Sequence, residues 1–298
     1  MAELRFVRVH VGDRTVLWES QDHRAALNAY VESMTTGTLR YQVALHVAAL
    51  DDEKHRFHAA MSLRQVYMQA LETLMALLCG MLQGGGGLPM WMVSYTNKEL
   101  RTLVQQLTQG QRLPGAKRAF DFEGFAAAIM QDSVEMGATI HPDEADGVPL
   151  ADAAPDFAAA LRRLCADFLN EELHAEYNSI KHGVRAVPGS LQLRFRADST
   201  EKWHVLDMPY GSTYPKRVQG SVKPRMALKT HTAGYDPAQV HARTLVCLDT
   251  TDVLRAYARG ALGKSTEGGV WIAATEAVDA AWGRGNQGAL INMTTDLL

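Results

Sequence analysis

The sequence predicts an α+β fold, a helical bundle with flanking antiparallel β hairpins or small sheets. Three observations carry that expectation. A run rich in Ala, Leu, Met and Gln, from about 52 to 83, has no proline before Pro89 and suits one long helix. A second apolar stripe, Phe157, Leu161, Leu164, Phe168, Leu173, Tyr177 and Ile180, repeats at mostly three- and four-residue spacing from Asp156 to Gly183 and suits another. On either side of these helices apolar residues alternate around turn residues, as strands do.

The elements follow in order. Leu4, Phe6 and Val9, then Val11-Gly12-Asp13-Arg14, then Val16 to Trp18 read as a hairpin. Residues 22–34 suit a short helix. Leu39, Tyr41, Val43, Leu45 and Val47 alternate with other residues and predict a half-buried strand. Four glycines, Gly84 to Gly87, and Pro89 predict a loop, after which Asn97 is expected to cap a helix with Leu100, Leu103, Val104 and Leu107 on one face. Another helix is expected from 120 to 131, and a surface connection from 137 to 155. Beyond Val187-Pro188-Gly189, Leu191, Leu193 and Phe195 alternate with polar residues, so a hairpin or small sheet is expected, with helices at about 236–259 and 270–282. The organisation is therefore 1–50 as a β-rich segment with a short helix, 51–187 as the bundle, and 188–298 as β hairpins followed by helices.

Composition narrows the function classes. Across 298 residues, 47% are hydrophobic and 21% charged, which excludes a disordered or collagen-like chain. Thirty basic against thirty-three acidic side chains give a net charge of -3, which argues against a diffuse polycationic coat. The charge is uneven, however. Acidic residues gather in 141–156, and the stretch from Lys181 to Lys229 is basic. Cys79, Cys165 and Cys247 lack any C-x-x-C spacing and read as buried reduced thiols. With a start, Met-Ala-Glu-Leu-Arg, that lacks the apolar core of a signal peptide, they predict a cytoplasmic protein. The apolar stretch 71–82 is shorter than the roughly 20 residues of a membrane span, so no membrane is expected as a partner.

The segment Glu176-Tyr177-Asn178-Ser179-Ile180-Lys181-His182-Gly183-Val184-Arg185 concentrates polarity at a helix end. Asn178, Lys181, His182 and Arg185 stand three and four apart and so share one stripe. Cations in a last helical turn followed by glycine are also what any helix C-terminus favours. Asn178-Ser179-Ile180-Lys181-His182-Gly183, closing a long amphipathic helix, resembles the end of the motif helix in the HEPN superfamily. Those are small helical bundles, many of which dimerise and cut RNA. The resemblance implies an RNA-associated protein of toxin, antiphage or stress systems and a homodimer. It places Asn178 at the family's polar position and His182 at its histidine. Tyr177 stands where the family has arginine, so the fixed positive charge that would face the scissile phosphate is missing, although Lys181 and Arg185 lie nearby. The catalytic candidates are His182, Asn178 and Lys181, the expected ribonuclease activity is weak or absent, and neither metal nor other cofactor is called for.

Three further patterns offer alternatives. Arg194, Arg196, Lys202, Lys216, Arg217, Lys223, Arg225 and Lys229, interleaved with Trp203, Tyr210 and Tyr214, suit either a solvated sheet face or a surface for single-stranded nucleic acid. Arg185, Arg194, Arg196, Trp203, Lys216 and Arg217 are the candidate contacts. Asp52, His55 and His58, with Glu171-Glu172-Leu173-His174, have spacing that can hold a divalent metal, as in a metal-binding helical-bundle oxidoreductase, or simply form solvated faces. A non-catalytic homodimeric interaction or scaffold protein is the third class. Gly263-Lys264-Ser265 lacks the earlier glycine of a phosphate loop, since Ala258 occupies that position.

Overall fold

A computed structural model describes residues 6–84, 86–135, 150–182, 185–196, 203–219, 226–263, 272–273, 275–283 and 295–296 of the chain. Side chains are described at these positions except 134, 150, 151, 191, 193–196, 203–206, 216–219, 226–230, 275, 295 and 296. The fold mixes helices with two small antiparallel sheets, as an α+β protein does. A hairpin of β1 (Phe6–Val11) and β2 (Arg14–Glu19) leads into α1 (Ser20–Ser33), α2 (Gly37–Ala48) and the long α3 (Arg56–Leu82). Then follow α4 (Leu88–Ser94), α5 (Asn97–Thr108), α6 (Phe122–Glu135), α7 (Ala154–Leu169) and α8 (Glu171–Lys181). The strands β3 (Val187–Arg196), β4 (Trp203–Gln219) and β5 (Met226–Gly234) precede α9 (Pro237–Ala261), α10 (Thr275–Trp282) and the short β6 (Thr295–Asp296).

The chain divides into two compact units, one of Met1–Thr38, Ala70–Leu169 and Leu245–Val278, the other of Leu39–Gln69, Asn170–Thr244 and Asp279–Leu298. In the first, the C-terminal half of α3 is largely apolar: Ala70, Leu71, Leu74, Met75, Ala76, Leu77, Leu78 and Cys79 are all fully buried, and only Glu72 and Thr73 interrupt the apolar run with polar side chains. The same unit holds the hairpin by its turn. Gly12 takes φ 63°, open to glycine, and a Cβ there would strike the Glu99 carboxylate. Gln83 brackets the turn, accepting from the Gly12 N–H at 3.0 Å and donating to the Gly12 carbonyl at 2.7 Å and the Pro114 carbonyl at 2.8 Å.

The second unit is built on the antiparallel sheet β3-β4-β5-β6. Val187 pairs with Thr213 and Arg196 with Trp203 across β3 and β4, with an irregularity between Gly189 and Leu191. Gly211 pairs with Gly234, and a Cβ at Gly211 would come within 2.7 Å of the Ala233 carbonyl oxygen, so the close approach of β4 and β5 needs glycine there. Helix α8 lies against β4, and Ile180, Ala186, Tyr214 and Ala233 form a small core between them with Met61 and Ala175 packed on it.

Several expectations change. The strand expected over 39–47 is the helix α2. Its alternating apolar residues contain two four-residue stripes: Leu39, Val43 and Val47 lie on the protected side, with Val43 buried, whereas Tyr41 is 65% and Leu45 50% exposed. A period of two over nine residues is also a period of four, and the helix uses it. The single helix expected from 156 to 183 is two, because Asn170 leaves the helix at φ -65°, ψ 116° and its side chain accepts from the N–H groups of Glu172 and Leu173. Gly183, its expected stop, lies outside the described residues. The cap of α5 is Thr96, not Asn97. Thr96 and Glu99 form a reciprocal capping box. The glycine run is followed at once by α4, with Pro89 in its first turn, and α3 starts at Arg56 after a turn at Asp52.

By length and composition α3 is the one helix among the described residues apolar enough to cross a membrane, and 67% of its apolar window is buried inside the protein. All three cysteines are free and buried, as the sequence implies.

Candidate functional site

The polar stripe sits at the C-terminal end of α8. The Asn170 cap sets where the helix begins, and the apolar face Leu173, Tyr177 and Ile180 sets its rotation, turning Asn178 outward and leaving Lys181 and His182 exposed at its end. Arg185, just beyond, is also exposed. His182 ends the helix at φ -90°, ψ 16°, its N–H donating to the Asn178 carbonyl at 3.3 Å. Tyr177 is 2% exposed and points inward. The Lys181 ammonium lies 5.6 Å from its ring centre. Tyr177 is thus a core aromatic that carries a lysine on its face.

The sheet register divides the basic residues that follow. Val187 pairs with Thr213 of β4, and further along β4 Lys216 pairs with Lys229 of β5. Arg194, Arg196 and Trp203 lie at the opposite end of the β3–β4 pair, where Arg196 faces Trp203 across the strands. From Trp203 to Lys216 along β4 is about 43 Å of extended strand. The register thus separates the basic region into two groups along β4: Lys216, Arg217 and Lys229 towards one end, and Arg194, Arg196 and Trp203 towards the other. Lys202, Lys223 and Arg225 lie outside the described residues.

Beneath the stripe is a buried polar cluster that sequence reasoning missed. Glu176, 1% exposed, receives a hydrogen bond from Arg64 Nε at 3.0 Å on Oε2 and from Ser212 Oγ at 2.6 Å on Oε1. Arg64, 6% exposed, lies with its guanidinium 5.1 Å from the Tyr235 ring centre. One layer away, the Tyr214 hydroxyl reaches Glu172 at 3.4 Å, and His231 stacks on Tyr214 with Nδ1 4.0 Å from the Glu172 carboxylate. Burial first, and the Glu176 carboxylate next, push the Tyr214 and Tyr235 hydroxyls well above the ordinary phenol range, so both stay neutral. The ion pair joins α3, α8 and β4, and it fixes the helix that presents the stripe. The sequence signal for it is Arg64 itself, a lone charge between Ala60, Leu63, Tyr67 and Met68 on an otherwise buried face.

The histidine clusters do not converge. Asp52 and His55 form an exposed pair at 3.9 Å, His58 is exposed and His174 is buried. Among the described residues no group of three or more His, Cys, Asp or Glu side chains is placed to hold a metal ion. Gly84 takes φ 115° and the Gly86 carbonyl contacts His23, so this part of the glycine run is a turn packed on its neighbours. Gly85, Lys264 and Ser265 lie outside the described residues. No protein-family model matches the chain, and neither a curated protein nor a solved structure does.

Proposed function

We propose that this is an RNA-associated, HEPN-like helical protein of the cytoplasm whose ribonuclease activity is weak or absent, of the kind found in toxin, antiphage or stress systems. The observation that carries the reading is the joint exposure of Asn178, Lys181, His182 and Arg185 at and just beyond the end of α8. Cations so grouped bind a phosphate backbone by charge, without reading sequence. A neutral His182 imidazole can take the proton of an attacking 2'-hydroxyl, which is one half of the cleavage chemistry. The other half, a fixed cation for the charge developing on phosphate oxygens, is lacking because a buried tyrosine holds its position.

A direct test is to incubate the full chain with single-stranded RNA in chelator-containing buffer and follow binding and cleavage together. The expected result is binding with slow cleavage or none, any slow cleavage being lost in His182→Ala. Robust cleavage abolished by His182→Ala would contradict the weak-activity half, and absence of binding at low salt would contradict the whole. A second reading, a homodimeric interaction protein, is favoured by the exposed Tyr41 and Leu45 of α2.

A further inference from the structure

We propose that the loop from Gln111 to Phe120, in the first unit, is a contact surface for the phosphate backbone of a single-stranded nucleic acid. It takes the same class of partner as the end of α8 but is a different surface, and either can fail alone. Between Glu99 and Asp121 the sequence holds four cations, Arg101, Arg112, Lys117 and Arg118, and no acidic residue. Arg101 donates to the Leu169 carbonyl at 3.2 Å. The other three are exposed and make no ion pair among the described residues. The acids that bound the stretch are engaged elsewhere: Glu99 accepts from Arg14 and from the Thr96 N–H, and Asp121 accepts from the Gly124 N–H at 2.7 Å. Three like charges thus share one loop, and the fold gives them no counter-charge.

The loop is held in one shape. Its ends meet where the Phe120 N–H donates to the Gln111 carbonyl at 3.3 Å, as in an Ω-loop. Leu113 and Phe120 are buried, and the Phe120 ring packs 4.8 Å from that of Phe122 and 5.5 Å from that of Phe125. Between these anchors Gln83 Nε2 donates to the Pro114 carbonyl at 2.8 Å and the Ala116 N–H to the Leu113 carbonyl at 3.0 Å. His10 lies against Gly115, where a Cβ would come within 2.7 Å of its ring. A loop so fixed loses little freedom on binding. Its chemistry selects the partner. Thr108, Gln109 and Gln111 are exposed beside the cations, and hydroxyls and amides of this kind contact phosphate and sugar oxygens. The loop exposes no aromatic or large aliphatic side chain, because Leu113 and Phe120 turn inward. A protein interface draws most of its energy from such anchors, and a membrane surface takes up an apolar face. A phosphate backbone needs neither. Cations on an exposed loop also suit successive phosphates along a strand, whereas a single phosphate calls for donors that converge in a concavity.

The test measures binding of the full chain to a single-stranded RNA of roughly 20 nucleotides, and to DNA of the same sequence, across a salt series. In the triple variant Arg112→Gln, Lys117→Gln and Arg118→Gln, checked for native circular dichroism, the slope of log affinity against log salt should be shallower by about 2 with both strands, about 0.7 for each cation removed. Arg112→Lys with Arg118→Lys should keep the native slope, because charge rather than the guanidinium fork makes the contact. Acetylation of Lys117, read by mass spectrometry of the native chain, should be suppressed by either strand. A triple variant with the native slope, beside a slope that does fall in Lys181→Ala with Arg185→Ala, would overturn this surface and leave the end of α8 standing. The opposite pattern would uphold the loop and remove the other site. Lys117 acetylated equally with and without the strand would overturn the assignment, as would tighter binding to phosphatidylserine vesicles than to either strand.

Discussion

The residue on which the α8 end depends is Glu176. Its carboxylate is surrounded by protein, with Arg64 on one oxygen and Ser212 on the other. Removing one partner strands a buried charge. Arg64→Met should therefore destabilise the protein by about 3–5 kcal/mol, and the double change Arg64→Met with Glu176→Leu by much less, both measured by urea denaturation. Equal losses would mean that the pair acts through packing rather than charge. The cysteines give a second residue-level prediction. Burial pushes the Cys165 thiol up to about 12, and Cys79 and Cys247 well above their ordinary 9.0, burial being the main cause in each. Above pH 9 the unfolded chain releases these protons and the native one keeps them, so stability should fall as pH rises from 9 towards 12. Thiol reagents at about pH 8 should label none of the three until denaturant is added.

Among the elements, those built on strong local chemistry were legible. The hairpin around Val11-Gly12-Asp13-Arg14 forms as its turn demands, and the face of Leu100, Leu103, Val104 and Leu107 is the buried face of α5. Alternation at 39–47 misled because it fits a helix as well as a strand, and only tertiary burial of Val43 separates the two. The break at Asn170 showed in sequence only as a one-residue drift in the apolar stripe. Its cause is a side chain that satisfies two N–H groups at once. Asn170→Ala should cost about 1 kcal/mol in thermal or chemical unfolding, and Asn170→Asp should keep most of it. The candidate stripe was legible because helical spacing alone puts Asn178, Lys181 and His182 together. Its support was not, because Arg64 and Glu176 are 112 positions apart and Ser212 is 36 further on. The division of the basic residues into two groups was equally hidden, since it depends on strand register.

For the whole molecule, a net charge of -3 conceals a stretch from Lys181 to Lys229 that is basic. The RNA association proposed for the exposed end of α8 is electrostatic in kind, and its signature is the dependence of affinity on salt. The most direct measurement is the binding constant of single-stranded RNA across a salt series for the native chain and for Lys181→Ala with Arg185→Ala. Log affinity should fall linearly with log salt, and the slope should be shallower by about 1.4 in the double variant, about 0.7 for each phosphate left without its cation. An affinity absent at low salt, or a slope that the double variant leaves unchanged, would contradict an RNA-binding role for this end of the protein.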